Sequence, residues 1–361
     1  MTRRSQRRLT SRWLAASVLL LVGSLSPAPA RATETISVLT TSSDARAIAE
    51  AVGGELVSVV GLVRPRQDAH VVRPSGRMVE SLNEADLLVV VGHGLERAWL
   101  PRMLEQAKND DIRPERRGHL DLSRTMRSLD GAAQAGRIGS FHEGDNPHYL
   151  LDPMEGVRAA RAIAARLADL APERASLFEQ NYREFARQIM TVLVGAELAA
   201  AVEPDRYDAL ALAIENDELD RFLTGEGVRG DLAGVLARFA PHRAAPIVGD
   251  HDYWPYFVRL YGLRVLGSLE PEPGMPPTPR HLQVLIGEMR ERGARLILTT
   301  GHFDPRHAEF VAEQTGGLVV PMAAVPGSRP GTETYLEFVE YNATVLLEAL
   351  EQAAASDRSD P

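Results

Sequence analysis

Asp86-Leu87-Leu88-Val89-Val90-Val91 has no polar residue after its first position. Successive residues of a strand face opposite sides of a sheet, so an uninterrupted apolar run reads as a strand covered on both faces, the form that parallel sheets take. Working back toward the N-terminus, Ile36 to Thr40 and Leu56 to Leu62 read as two earlier strands, with Asp44 to Val52 as the helix between them. Ser75 to Asn83 leads into the quoted run as a second helix, and about Glu96 to Lys108 follows it as a third. Strand and helix in strict alternation predict an α/β fold built on parallel sheet. Segment 109–147 is rich in turn formers, with a short strand expected near Ile138.

From Pro153 to about Val202 apolar and alanine positions recur at helical spacing, almost without glycine. Pro172 divides this stretch into two helices. The second, Glu173 to Val202, would be about 45 Å long at 1.5 Å per residue, which predicts a rigid spine between two lobes. Alternation then resumes through Ala245–Val248, Arg264–Gly267, Leu296–Thr300 and Leu318–Val320 as strands. Thr334 to Ala354 closes the chain as a helix, ahead of a frayed polar tail at 356–361. The expected organisation is a signal over 1–32, an N-terminal lobe over 33–152, a helical linker over 153–202 and a C-terminal lobe over 203–355.

The leader reading rests on Arg3, Arg4, Arg7, Arg8 and Arg12, the apolar run Trp13 to Leu25, and Ala30-Arg31-Ala32, with cleavage expected after Ala32. That apolar run is shorter than the roughly 20 residues a spanning helix needs, which predicts export rather than anchoring. The first 32 residues hold six arginines and no acid, so loss of the leader would move the net charge from -9 to -15. Such a surface repels nucleic acid and attracts cations. With no cysteine in the chain, disulfides and thiolate ligands are excluded, and a metal site would have to use imidazole and oxygen.

The histidines bear on that chemistry. His70 follows the second strand in Gln67-Asp68-Ala69-His70, His148 lies in Asp145-Asn146-Pro147-His148, and His251 follows a strand in Gly249-Asp250-His251-Asp252. Ligands of open α/β sheets bind beyond the carboxyl ends of the strands, so three histidines from three such places can converge on one ion. A lone histidine in a loop more often caps a helix or faces solvent. The spacings match no local zinc motif.

Taken together, several stretches resemble the zinc- and manganese-type ABC-transporter solute-binding proteins. They are Asp68-Ala69-His70 with Pro74, Ala85-Asp86-Leu87-Leu88-Val89-Val90 with Gly94-Leu95-Glu96, and Asn146-Pro147-His148-Tyr149-Leu150-Leu151-Asp152-Pro153. His251-Asp252-Tyr253-Trp254-Pro255-Tyr256-Phe257 with Tyr261-Gly262-Leu263, and Tyr335 with Tyr341-Asn342, complete the resemblance. It implies two α/β lobes joined by a long helix, a metal ion in the cleft held by His70, His148 and His251, and delivery by a periplasmic monomer to a membrane permease. A histidine at the third position, where the manganese-preferring branch usually has a carboxylate, implies zinc, in agreement with the preference of zinc for imidazole and of manganese for oxygen.

Two departures bear on the site. Where the family usually supplies an aspartate, this chain reads Pro321-Met322-Ala323-Ala324-Val325-Pro326. His302, in Thr299-Thr300-Gly301-His302-Phe303-Asp304, is the expected substitute, with water as the alternative. The second departure is a long segment from about Asp205 to Pro241, whose acids Glu215, Asp217, Glu218 and Asp220 either hold a lid or a second ion or, as charge runs more often do, form a solvated helix face. His93 and Glu96 are candidates to orient a ligand histidine, His142 lies near His148, and His119, His242, His281 and His307 read as surface residues. No P-loop is present, so ATP hydrolysis is expected to belong to another subunit, and the leading expectation is a receptor that binds without turnover. The alternatives are a zinc hydrolase with an open coordination position and a receptor for a metal chelate.

Overall fold

The computed structural model describes residues 35–129, 145–272 and 275–359. The leader, His142 and the strand expected near Ile138 lie outside them. None of the described helices is long and apolar enough to cross a membrane.

The apolar runs pair as their lack of polar faces requires. β1 (Ile36–Thr40), β2 (Val57–Gly61), β3 (Leu87–Val90) and β4 (His119–Asp121) form one parallel sheet in the order β2-β1-β3-β4. β5 (Pro246–Gly249), β6 (Arg264–Ser268), β7 (Leu296–Thr299) and β8 (Leu318–Pro321) form a second in the equivalent order β6-β5-β7-β8. In this order the crossovers reverse direction beside the first strand of each sheet, which opens a crevice at the carboxyl ends of β1 and β3 and of β5 and β7. The strand at β4 was not anticipated, since only Leu120 of its three residues is apolar and buried.

Helices α1 (Ser43–Gly53), α2 (Gly76–Glu84) and α3 (Leu100–Gln106) flank the first sheet. Ser42 and Ser75 cap the first two, each accepting a main-chain N–H in the first turn. α3 begins four residues later than its apolar pattern predicts. Gly92 and Gly94 are left-handed there, at φ 81° each, and the Glu96 carboxylate accepts the N–H groups of Val91 and Gly92 at 2.8 and 3.1 Å. A side chain that satisfies the end of a strand in this way holds the chain in turns rather than in a helix.

The linker is α4 (Pro153–Leu170), α5 (Ala175–Val194) and α6 (Ala196–Ala201). Gly195, at φ 91°, breaks the expected single spine, so its long part is 20 residues, about 30 Å. Asp152 caps α4 by accepting the N–H of Met154 at 2.8 Å. Gly156 in its first turn meets the ring of Tyr335, where a Cβ would lie 2.2 Å from the phenol oxygen; no larger residue fits. The long departure folds as α7 (Tyr207–Glu215), α8 (Leu219–Glu226) and α9 (Gly234–Phe239). Its acids are largely charge-paired, Glu215 with Arg127, Asp217 with Arg243 and Glu218 with Arg221. α10 (Pro255–Tyr261), α11 (Pro279–Arg292) and α12 (Pro305–Thr315) surround the second sheet, and α13 (Tyr335–Ser359) runs through Ser356 rather than fraying there.

Asp44, in the first turn of α1, is half-buried with its Oδ1 shut off from solvent, and desolvation raises its carboxyl from 3.8 to about 7, with hydrogen bonds from its own main chain and Ser42 offsetting only part of the cost. An acid whose pKa is raised by folding holds its proton more tightly in the folded state. Its contribution to stability is therefore complete below the ordinary carboxylate range and lost as pH rises through about 7. Asp44→Asn should thus gain relative to the parent between pH 5 and pH 8, with the difference in thermal midpoint changing by at least about 2 °C. A difference that does not move with pH would show that Asp44 keeps its charge.

Candidate metal centre

His70 is carried on the loop that leaves β2, and its own neighbour orients it. Asp68 Oδ1 accepts both the main-chain N–H of His70, at 2.8 Å, and the ring Nδ1, at 2.9 Å. The Trp99 indole donates to the carbonyl of Ala69 at 2.9 Å, which ties this loop to α3. Burial alone would raise the Asp68 carboxyl, but the bonds from His70 outweigh it and hold the group at about 2.

His148 stands immediately before the short 3-10 turn Tyr149–Leu151. Its N–H donates to Asn146 Oδ1 at 2.8 Å, while Asn146 Nδ2 donates to the carbonyl and to Oδ2 of Asp252 at 2.7 and 3.1 Å. The far end of the same loop is held by α10, whose Arg259 Nη2 lies 2.9 Å from Asp152 Oδ2 and 2.8 Å from Glu155 Oε1. The Tyr335 hydroxyl adds a bond to the carbonyl of Leu150 at 2.7 Å.

His251 leaves β5 at the crevice of the second sheet. Its N–H donates to Asp250 Oδ1 at 2.9 Å, and Asp250 Oδ2 accepts from the Thr300 N–H and hydroxyl at 2.5 and 3.0 Å, closing β5 against the end of β7. Burial pushes the Asp250 carboxyl up to about 6 in spite of these donors. The imidazole Nδ1 is 2.6 Å from Glu270 Oε2, which arrives just past β6, and Phe303 stacks on the ring at 5.5 Å.

The structure brings these three imidazoles together. Ring centroids lie 5.2 Å apart for His70 and His148, 5.7 Å for His70 and His251, and 5.3 Å for His148 and His251. One nitrogen from each lies within 4.8 Å of the others, and among the described residues this is the one group of three or more such donors. All three Nε2 atoms are buried. Where Nδ1 of His70 and His251 donates to a carboxylate, the lone pair is fixed on Nε2, the usual way a protein prepares imidazole for a metal. The Tyr253 ring packs 4.3 Å from His148 and 4.7 Å from His251, closing one wall. Such a set of neutral nitrogen donors suits a borderline ion of the zinc type.

His302 does not join the three. It stands on the loop after β7, with the Pro65 carbonyl of the first lobe, Asp68 and His251 around it. Burial holds its imidazole below the ordinary value, so it stays neutral over a wider pH range. With His307 and Asp304 it lines a cavity of about 180 Å³ that also reaches Asp250 and Glu270. The expected carboxylate position is filled by Ala323 and Ala324, both buried, with Asn342 bonded to the N–H and carbonyl of Ala323 at 2.8 and 3.0 Å. His93 and Glu96 serve other contacts. The His93 ring lies 2.9 Å from the Met126 sulfur, and Glu96 takes the Thr41 hydroxyl as well as the strand-end amides. His119 and His281 are half-buried and bonded to the Ile112 and Ser268 carbonyls, so neither is a simple surface residue. Glu270 carried no motif; the one sign of it is an acid directly after a strand that ends at the crevice.

A family model described as "Zinc-uptake complex component A periplasmic" matches residues 38–203 and 233–349. The chain is 22% identical to the manganese ABC transporter substrate-binding lipoprotein PsaA of Streptococcus mitis, over 92% of this chain and 96% of the relative. It is 23% identical to the high-affinity zinc uptake system protein ZnuA of Brucella abortus (strain 2308), over 56% of this chain and 49% of the relative. Among solved structures, ZnuA superposes with a TM-score of 0.63 at 18% identity, over 88% of this chain and all of that one. A cadmium-bound periplasmic metal-binding protein from Candidatus Liberibacter asiaticus gives the same score, identity and coverage.

For an ion held by the Nε2 atoms, Glu270→Gln keeps the shape of the His251 contact and removes its charge. The expected result is a metal affinity weaker by about tenfold to a hundredfold, with the thermal midpoint of the metal-free protein within about 2 °C of the parent. An unchanged affinity in a competition titration would show that Glu270 does not tune His251.

Proposed function

Since the chain belongs to the zinc-uptake complex component A family of metal ABC-transporter substrate-binding proteins, we propose that it captures a single zinc ion outside the cytoplasmic membrane and hands it to the permease of an importer. His70, His148 and His251 are the protein ligands in this reading. The observation that carries it is the convergence of their nitrogens within 4.8 Å, from loops of both sheets. Zinc is favoured over manganese because every donor of the group is an imidazole and, among the described residues, no carboxylate oxygen joins it. The relatives include both zinc and manganese proteins, so the donor set of this chain carries that choice.

An open fourth position would also suit activation of water. The nearest acid on His251, Glu270, is engaged at Nδ1, on the side of the ring away from Nε2, where a general base for metal-bound water has no use. Capture without turnover fits this better. The fourth position falls to water, or to His302 once its loop turns toward the three imidazoles.

Alanine at His70, His148 or His251, one at a time, should weaken zinc binding by at least a hundredfold, about 2.7 kcal/mol, with the metal-free protein still folded by circular dichroism. Two of the three variants binding within about threefold of the parent would sink the site. In the same titration zinc should displace manganese at neutral pH, and affinity should fall on acidification as protons compete for the imidazoles near their usual pKa of about 6.5. Manganese binding as tightly as zinc would overturn the choice of ion. His302→Ala decides the fourth donor: an affinity about tenfold weaker, about 1.4 kcal/mol, selects the imidazole, and an unchanged one selects water.

A further inference from the structure

We propose that Asn146 is a positioning residue that assembles His148 and His251 into a pair before any ion arrives, so that the pair is a partial site able to hold zinc without His70. The proposal rests on the metal-receptor reading given above. It starts from one side chain, 2% exposed, whose every polar atom is committed to a ligand loop. Oδ1 accepts the N–H of His148 at 2.8 Å. Nδ2 donates to the carbonyl of Asp252 at 2.7 Å and to its carboxylate at 3.1 Å. Asn146 therefore joins the second ligand itself to the residue directly after the third, across a separation of 106 residues in the chain.

A second brace supports the same pair from the other side. Asp152, four residues beyond His148, shares a buried ion pair with Arg259 of α10, the helix that begins four residues beyond His251. Tyr253 fills the wedge between the two rings, at 4.3 and 4.7 Å. The His148 loop is thus fastened before and after its histidine and the His251 loop after its own, with the two ring centroids 5.3 Å apart. His70 is fixed by Asp68 and, through Ala69, by Trp99, both of the first sheet's lobe. Pre-setting two donors lowers the ordering cost of binding, and a buried amide that spends all its hydrogen-bonding groups on two loops is well suited to do so.

Asn146→Asp tests this, because a carboxylate there still accepts the His148 N–H but faces the Asp252 carbonyl and carboxylate without a donor. Zinc affinity should fall at least tenfold, and adding Asp252→Asn, which supplies a donor from the opposite side, should restore at least threefold of the loss. His70→Ala should keep zinc more tightly than His148→Ala or His251→Ala, and Asn146→Asp placed in the His70→Ala background should remove that residual binding. Full parental affinity in Asn146→Asp, with only a lowered thermal midpoint of the metal-free protein, would overturn the proposal by making Asn146 merely structural. So would three alanine variants of equal affinity, since no pair would then be distinguished. If Asn146→Asp does not fold, Asn146→Ala serves for the affinity measurement and the His70→Ala comparison stands unaided. Failure of the receptor reading looks different: His148→Ala and His251→Ala would both bind zinc like the parent.

Discussion

A guanidinium taken out of water between two buried carboxylates organises this protein. Arg259 is 14% exposed, and Asp152 and Glu155 at its sides are 1% and 0% exposed. Arg158 adds a second cation against Glu155 at 2.6 Å. Even so, burial and the nearby Asp152 charge hold the Glu155 carboxyl above its ordinary value. Removing one member of such a cluster would leave its partners charged and desolvated, a cost of about 3–5 kcal/mol. Because Asp152 caps α4 and Arg259 lies in α10, the linker and the second sheet are held in one relation, and the loops of His148 and His251 inherit it.

The architecture was readable from the chain because its signals are local. Fully apolar runs such as Leu87–Val90 announce buried parallel strands, and Ser42, Ser75 and Asp152 mark helix starts. Where a feature depends on one residue's dihedral angle or on a distant acceptor, the pattern failed. Gly195 interrupts a stretch whose apolar spacing runs on without a fault, and Glu96, by taking the amides after β3, delays a helix whose apolar pattern already begins at that residue. β4 pairs with β3 on only three residues, too few for any periodicity.

The candidate site was legible to a similar depth. His70, His148 and His251 could be singled out because each stands where a loop leaves a strand or enters a helix, and the structure draws them into one group. What surrounds them could not be found by spacing. Glu270 is 19 residues from the histidine it holds, and Asn146 is 106 residues from Asp252; contacts of that range are made by tertiary packing. His302 shows the converse. Its topological position is as good as that of His251, yet its ring rests toward Pro65 of the other lobe and outside the group.

Both sheets share one strand order, and so the chain contains two equivalent crevices. In the second, Asp250 and Thr300 clasp the strand ends and leave His251 projecting from them. In the first, Thr41 and Val91 occupy the matching places, joined by a bond of 3.1 Å, and the Glu96 carboxylate sits on the amides of Val91 and Gly92. Each half thus closes its strand ends with an acid of its own, Glu96 in the first and Asp250 in the second, but only in the second does the clasped loop carry a histidine that joins the three-imidazole group. Under the metal-receptor reading proposed above, that difference between the halves corresponds to one ion per chain rather than two.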